Sequence, residues 1–262
     1  MRIIGEKLNG FIPEMGRAIE TRDAEYVCSW ARAQSEAGAD YLDVCASGAQ
    51  RGEEDALLWL IDLVQKEVDT PISIDTPDAF LMEKAMRMLK SPGMVNSVSL
   101  EGGAADRMFP QIRDRGFSCI ALLMDGGVPK TVEGRIAAFE KTMECAEKYG
   151  IDHDKVYVDP LVTALGTIPE SAAVFIETCR EIRKRDAHVH VVGGVSNVSF
   201  GLPARRHINR AFVTMAMGAG MDCAICDPTD RDMMGIICAA DALLGNDEMC
   251  AEYLQAYRQG KL

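Results

Sequence analysis

Short apolar runs alternate with longer stretches of helical periodicity along the whole chain. The runs are Arg2–Gly5, Tyr41–Cys45, Ile72–Asp75, Met94–Ser97, Cys119–Met124, Val156–Val158, His188–Gly193 and Cys223–Cys226. They read as strands buried on both faces, as in a parallel sheet, rather than half-exposed alternating strands. Between them the spacing predicts helices over roughly 14–37, 53–68, 103–115, 133–149, 204–218 and 230–244. Two more are marked by start signals: Thr76 as a cap with Pro77 behind it, and the capping-box spacing Thr167 to Glu170 opening a helix to about 185. Leu57, Leu60, Ile61, Val64 and Val68 keep the rhythm of one buried helix face. Eight strand-helix units predict an α/β protein with a single closed (β/α)8 TIM barrel over 1–262. A last helix near 247–258 reads as an extra cover or an oligomer contact. A doubly wound sheet is the competing architecture, but it usually needs fewer units.

Composition supports a barrel with a substantial core, because 48% of 262 residues are hydrophobic. Lys and Arg number 28 against 40 Asp and Glu, a net charge of −12, which argues against a nucleic-acid partner. The opening MRIIGEKLNG carries charge and glycine where a secretory signal is apolar, and no apolar run is long enough to span a bilayer. These features predict a cytoplasmic protein with no membrane partner. The nine cysteines are scattered in apolar contexts and read as reduced core thiols. Cys223 and Cys226 have CxxC spacing, but residues three apart on a strand point to opposite faces. The four histidines lack metal-ligand spacing, so no metal site is expected.

A polar residue recurs at the strand ends: Asp43, Asp75, Asn96, Asp125, Asp159, Asn197 and Asp227. One such residue is explained by a helix cap or a turn. The repetition points to the carboxyl-terminal mouth of a parallel barrel, where the βα loops build sites. The stretch VVGGVSNVSFGLPARRHINR is the most suggestive, presenting Ser196 and Asn197 on a loop after the seventh strand. A ring of carboxylates and amides suits either a hard divalent metal or a flat heterocycle rich in N–H groups. The mixture of Asp with Asn favours the heterocycle, because an amide both donates and accepts.

The stretches IIGEKLNG, YLDV, ISIDT, MVNS, VDPL and GVSNVS followed by RHINRAF, in this order, resemble the methyltetrahydrofolate:corrinoid protein methyltransferases. These are pterin-binding barrels related to the folate module of methionine synthase and to dihydropteroate synthase. The resemblance spans essentially the whole chain. It implies that Asp75, Asn96 and Asp159 bond the pterin ring, with Glu6 and Asn9 near the folate and Asp43 and Ser196 as further contacts. It implies that Asn197 approaches N5 of the folate and that Arg205 lies in the same loop, where Arg205-Arg206 is either a site for the folate glutamate tail or a solvated helix start. Departures occur at Asp43-Val44-Cys45, Phe200-Gly-Leu-Pro and Asp125-Gly126.

The implied reaction moves a methyl group between N5 of tetrahydrofolate or methyltetrahydrofolate and the cobalt of a corrinoid. The N5 leaving group is poor, and a hydrogen bond or proton at N5 relieves its charge. No Asp or Glu lies in the Asn197 loop, so the expectation is that Asn197 stabilises protonated N5 while the proton arrives through solvent. The cobalamin fingerprint DxHxxG does not occur, so the corrinoid (cobalamin) is expected on a separate partner protein. The direction of transfer is open. Dihydropteroate synthase is the nearest rival, but its Ser-x-Arg-Pro-Gly loop does not occur. A folate-binding barrel without catalysis and a metal-dependent lyase also compete. Relatives of this type imply a homodimer.

Overall fold

Period-two alternation decides what each strand shows to the two sides of the sheet. In the computed structural model, which describes residues 1–49 and 52–262, this alternation separates two cores. Ile4, Met94, Ile120, Tyr157, Val192 and Cys223 face one another in a small inner cluster. A much larger outer cluster, including Leu42, Val44, Ile74 and Val158, packs the sheet against the helices.

The strands are β1 (Arg2–Asn9), β2 (Tyr41–Cys45), β3 (Ile72–Asp75), β4 (Met94–Val98), β5 (Ser118–Leu122), β6 (Val156–Asp159), β7 (His190–Gly194) and β8 (Cys223–Cys226). They close in sequence order into a barrel whose strand pairings are all parallel, β8 returning to β1. The helices are α1 (Pro13–Thr21), α2 (Ala24–Glu36), α3 (Glu53–Glu67), α4 (Ala79–Met88), α5 (Ala104–Arg115), α6 (Val132–Lys148), α7 (Ser171–Arg185), α8 (Arg205–Met217), α9 (Arg231–Leu243) and α10 (Ala251–Arg258). The expected TIM barrel with an added C-terminal helix is therefore present. Leu57, Leu60, Ile61 and Val64 form the buried face of α3, as their spacing predicts. Among the described residues no helix is long and apolar enough to cross a membrane.

Three local expectations are corrected. The single helix over 14–37 is two helices, because Arg22 adopts a left-handed conformation (φ 56°) that ends α1. Asp23 then caps α2, accepting from the Tyr26 amide at 3.1 Å. Asp78 rather than Thr76 caps α4, accepting from the Phe80 and Leu81 amides at 2.8 and 3.2 Å. The capping box at Thr167 does not form, because the Thr167 and Ile168 amides both turn back to the Ala164 carbonyl. That local turn uses up the segment, and α7 starts only at Ser171.

The CxxC pair follows the strand argument. Cys223 lies in the inner cluster and Cys226 in the outer one, both as buried free thiols.

Candidate active site at the barrel mouth

Two residues beyond the inner apolar cluster, the same faces of the strands turn polar. Ile4 leads to Glu6, Met94 to Asn96, and Tyr157 to Asp159. On β2 and β3 the register sets Asp43 beside Ser73 and Cys45 beside Asp75, and Asp75 in turn lies beside Asn96. Asp43 is buried, and its Oδ1 accepts from Ser73 Oγ at 2.7 Å and from Asn96 Nδ2 at 3.0 Å. A sequence with polar residues at successive inward positions can bury them only if they satisfy one another, and this network does so.

Placing several carboxylates in one dry space raises their proton affinity. Burial, followed by the neighbouring Asp75 charge, pushes the Asp43 carboxyl up to about 8. Burial also raises Asp75, opposed by a hydrogen bond from the Cys45 thiol and reinforced by Glu53. Cys45 is itself pushed up to about 12 by burial and by Asp75. Burial takes Asp159 to about 6, against the Leu161 amide, which donates to its Oδ1 at 2.7 Å, and the Arg135 charge. Near neutral pH Asp43 of this coupled pair therefore holds its proton. The mouth thus offers carboxylate acceptors and a carboxyl donor within one small space.

The β7 loop completes the rim. Val195–Ser199 form a 3₁₀ turn that carries Ser196 half-buried and Asn197 exposed. The two glycines before it are there for space. A Cβ on Gly193 would lie 2.8 Å from the ring of Phe175 on α7. A Cβ on Gly194 would lie 2.8 Å from the Asn197 carboxamide nitrogen, so Gly194 leaves the seat for that side chain. Arg205 braces the turn from α8, donating to the Ser196 carbonyl at 2.6 Å and to Ser199 Oγ at 3.0 Å. Ser196 Oγ reaches across to Glu6 on β1, donating to its Oε2 at 3.1 Å.

The rim therefore brings Glu6, Asp43, Asp75, Asn96, Asp159, Ser196 and Asn197 onto the inner strand faces and the β7 loop of one barrel end. Asn9 closes β1 beside Cys45, its Oδ1 accepting from the Phe11 amide at 2.9 Å. Asp125 is a correction to the ring: it stands outside, ion-paired with Lys141 on α6. Asp227 is at the β8 end but is taken up by Lys7 at 2.9 Å and by the Thr229 hydroxyl and amide. Among the described residues, no three or more His, Cys, Asp or Glu side chains are grouped as a metal ion would need.

Sequence reasoning passes over several supporting residues. Ser73 carries a legible signal, since it lies two positions before Asp75 on the same strand face. Glu53, at the start of α3, accepts from Ser47 Oγ and Thr76 Oγ1, both at 3.0 Å, and joins two rim loops. Nothing local to Glu53 marks that role. Arg135 is buried at the start of α6, with its Nε donating to the Pro129 carbonyl at 3.2 Å and its charge bearing on Asp159.

Comparison with known proteins agrees with this geometry. Over its whole length the chain is 44% identical to a methylcorrinoid:tetrahydrofolate methyltransferase of Eubacterium limosum, covering 98% of that protein. It is 26% identical to the methionine synthase of Mycobacterium tuberculosis over 85% of this chain but only 20% of that much longer protein. Its fold is similar to the dihydropteroate synthase of Xanthomonas albilineans in complex with 7,8-dihydropteroate, with a TM-score of 0.66 at 20% identity over 92% of this chain and 93% of that one. The 7,8-dihydropteroate synthase of Vibrio fischeri gives a TM-score of 0.69 at 16% identity over 93% of each chain. The model of the pterin binding enzyme family matches residues 15–227. A closed parallel barrel, a carboxylate-amide mouth and that match together place the chain in the pterin-binding enzyme family.

Proposed function

We propose that this protein is a methyltransferase moving a methyl group between N5 of a tetrahydrofolate and the cobalt of a corrinoid carried by a separate protein, with the direction left open. The observation that carries the reading is the full-length identity with the Eubacterium limosum methyltransferase, joined to a mouth built for a flat, N–H-rich ring. In this reading Asp75, Asn96 and Asp159 grip the pterin edge and Asp43 supplies the protonated partner. Glu6, Asn9 and Ser196 line the approach to N5, and Asn197 faces N5 itself. Arg205 acts by holding the loop that carries Asn197. The direct test is a spectrophotometric assay with free cobalamin, run as cob(I)alamin with methyltetrahydrofolate and as methylcobalamin with tetrahydrofolate. Conversion in either direction supports the reading. Tight folate binding with no conversion favours a binding barrel, and turnover with p-aminobenzoate favours a synthase.

The glycine seat gives a sharper check. Gly194→Ala is expected to push the Asn197 carboxamide aside while lowering stability by only about 1 kcal/mol, because the obstructing atom ends a flexible side chain. Methyl transfer then falls about tenfold or more with the thermal midpoint nearly unchanged. Gly193→Ala is expected to do the reverse, destabilising the core by roughly 1–3 kcal/mol against Phe175. Thermal melts beside the cobalamin assay separate the two.

Phe11 and Phe200 stand exposed on the first and seventh strand-to-helix connections, and Phe80 stands exposed in the first turn of α4. Exposed aromatic side chains around a site suit the docking of a corrinoid-carrying partner. A second apolar face lies away from the mouth, where Ile236, Leu243, Tyr253 and Leu262 line a groove between α9, α10 and the C-terminus. We assign the homodimer contact to this face. Leu243→Glu, at a side chain 86% exposed, is expected to convert the dimer to a monomer by light scattering without lowering the thermal midpoint of the monomer. A variant that stays dimeric rules the face out.

A further inference from the structure

We infer that Glu6, acting through Ser196, holds the proton exchanged with N5 during methyl transfer; this deepens the proposed function and rests on it. The geometry is specific. Glu6 sits on β1 where its pairing with β2 slips register between Gly5 and Leu8, two residues past the inward-facing Ile4. It lies 190 positions from Ser196 in the chain, yet the Ser196 hydroxyl donates to its Oε2 at 3.1 Å. Ser196 is half-buried and directly precedes the exposed Asn197. The Arg205 bond to the Ser196 carbonyl holds the Ser196 backbone in place, with its hydroxyl on Glu6.

The surroundings suit a carboxyl that takes up and gives back a proton. Burial raises Glu6 above the ordinary carboxylate value; Ser196, Lys7 and Arg205 oppose this and Asp227 reinforces it. The Glu6 charge also bears on Asp43, and on the Cys226 thiol across the β8 strand end. A general acid or base works best when its proton affinity lies near the working pH. The hydroxyl between them has two states. With Glu6 ionised, Ser196 donates to it. With Glu6 protonated, Glu6 donates to Ser196 Oγ, which frees the serine hydroxyl proton to point into the mouth.

The steps balance in both directions. When methyl leaves the folate, the Glu6 proton passes to Ser196 Oγ and the serine proton passes to N5. The N5–CH3 bond then breaks with its electron pair left on nitrogen, and the reduced corrinoid supplies the pair for the new bond to carbon. N5 ends as a neutral N–H amine and Glu6 as a carboxylate. When methyl arrives, the N5 lone pair takes the methyl while the corrinoid keeps the electrons of the broken bond. The N5–H proton then leaves through Ser196 to ionised Glu6. No further oxidant or reductant is needed.

The test is the pH profile of single-turnover transfer, measured with cob(I)alamin plus methyltetrahydrofolate and with methylcobalamin plus tetrahydrofolate from about pH 5.5 to 8.5. In the wild type the first rate is expected to fall, and the second to rise, through one shared midpoint above the ordinary carboxylate range. Glu6→Gln removes that limb in both directions and slows transfer about tenfold at neutral pH. Ser196→Ala breaks the link and flattens the profile in the same way. Glu6→Asp restores a limb at a shifted midpoint. Tetrahydrofolate Kd by titration and the thermal midpoint stay near wild type in all three. The inference is overturned if Glu6→Gln keeps the wild-type rate and profile, or if its whole effect is a weaker Kd. A wild-type protein that binds tetrahydrofolate but transfers methyl in neither direction overturns the proposed function, and the retained binding tells that failure from this one.

Discussion

Replacing Asn197 with alanine is expected to lower the single-turnover rate of methyl transfer about 10²-fold, close to 2.7 kcal/mol of transition-state stabilisation. Tetrahydrofolate Kd should move by less than about threefold, because the carboxamide is aimed at charge that develops during the reaction rather than at the resting ring. Three features of the chain prepare this. The carboxamide is exposed to the mouth. Its seat exists because Gly194 has no side chain. The 3₁₀ turn beneath it is pinned by Arg205 through Ser196 and Ser199, and Ser199 also donates to Asn209 at 2.6 Å. A preorganised donor is worth more than a mobile one, since nothing has to reorganise when N5 changes charge. Stopped-flow rates with free cobalamin, alongside a folate titration, check the prediction. A full-rate Asn197→Ala enzyme would remove Asn197 from the chemistry.

The barrel is legible because every strand carries its own apolar run and every run is followed by a periodic helix. Inward alternation then converts position along a strand into depth in the barrel, so Asp43, Asp75, Asn96 and Asp159 can be grouped from the sequence. Local signals do less well where a nearby group competes. Thr76 has the look of a helix cap, yet its hydroxyl is spent on Glu53 while Asp78 does the capping. Asp125 follows a strand like the others, but its β5 end turns it outward to Lys141. Sequence alone leaves the proton path to solvent, because no acid lies within the Asn197 loop. Closure of the barrel sets β1 against β8, and with it Glu6 against the β7 loop. That contact joins residues 190 positions apart and has no local signature.

The two carboxylates of the Asp43–Asp75 pair are expected to respond in opposite ways to the same substitution. Asp75→Asn removes the ionised acceptor for the pterin N–H groups and should weaken tetrahydrofolate about 10²-fold, as two charge-assisted bonds of roughly 1.5 kcal/mol or more imply. Asp43→Asn imitates the protonated state that Asp43 already holds near neutral pH, and its amide oxygen still accepts from Ser73 and Asn96. Its folate Kd should stay within a few-fold of wild type. The stability effect has a definite sign. The Asp43 carboxyl titrates near 8 in the folded chain against 3.8 ordinarily, so the folded state binds more protons between those limits. Stability is fully present below the lower value and is lost as pH rises through the upper one. Asparagine cannot ionise, so Asp43→Asn should flatten this decline and raise the thermal midpoint at pH 8, by about 2–4 °C for each kcal/mol relieved. Melting curves across pH and folate titrations at pH 7 decide the matter. Equal folate affinities for the two variants would mean that the proton does not rest on Asp43, and an unchanged melting profile for Asp43→Asn would mean that the carboxyl ionises freely where it is buried.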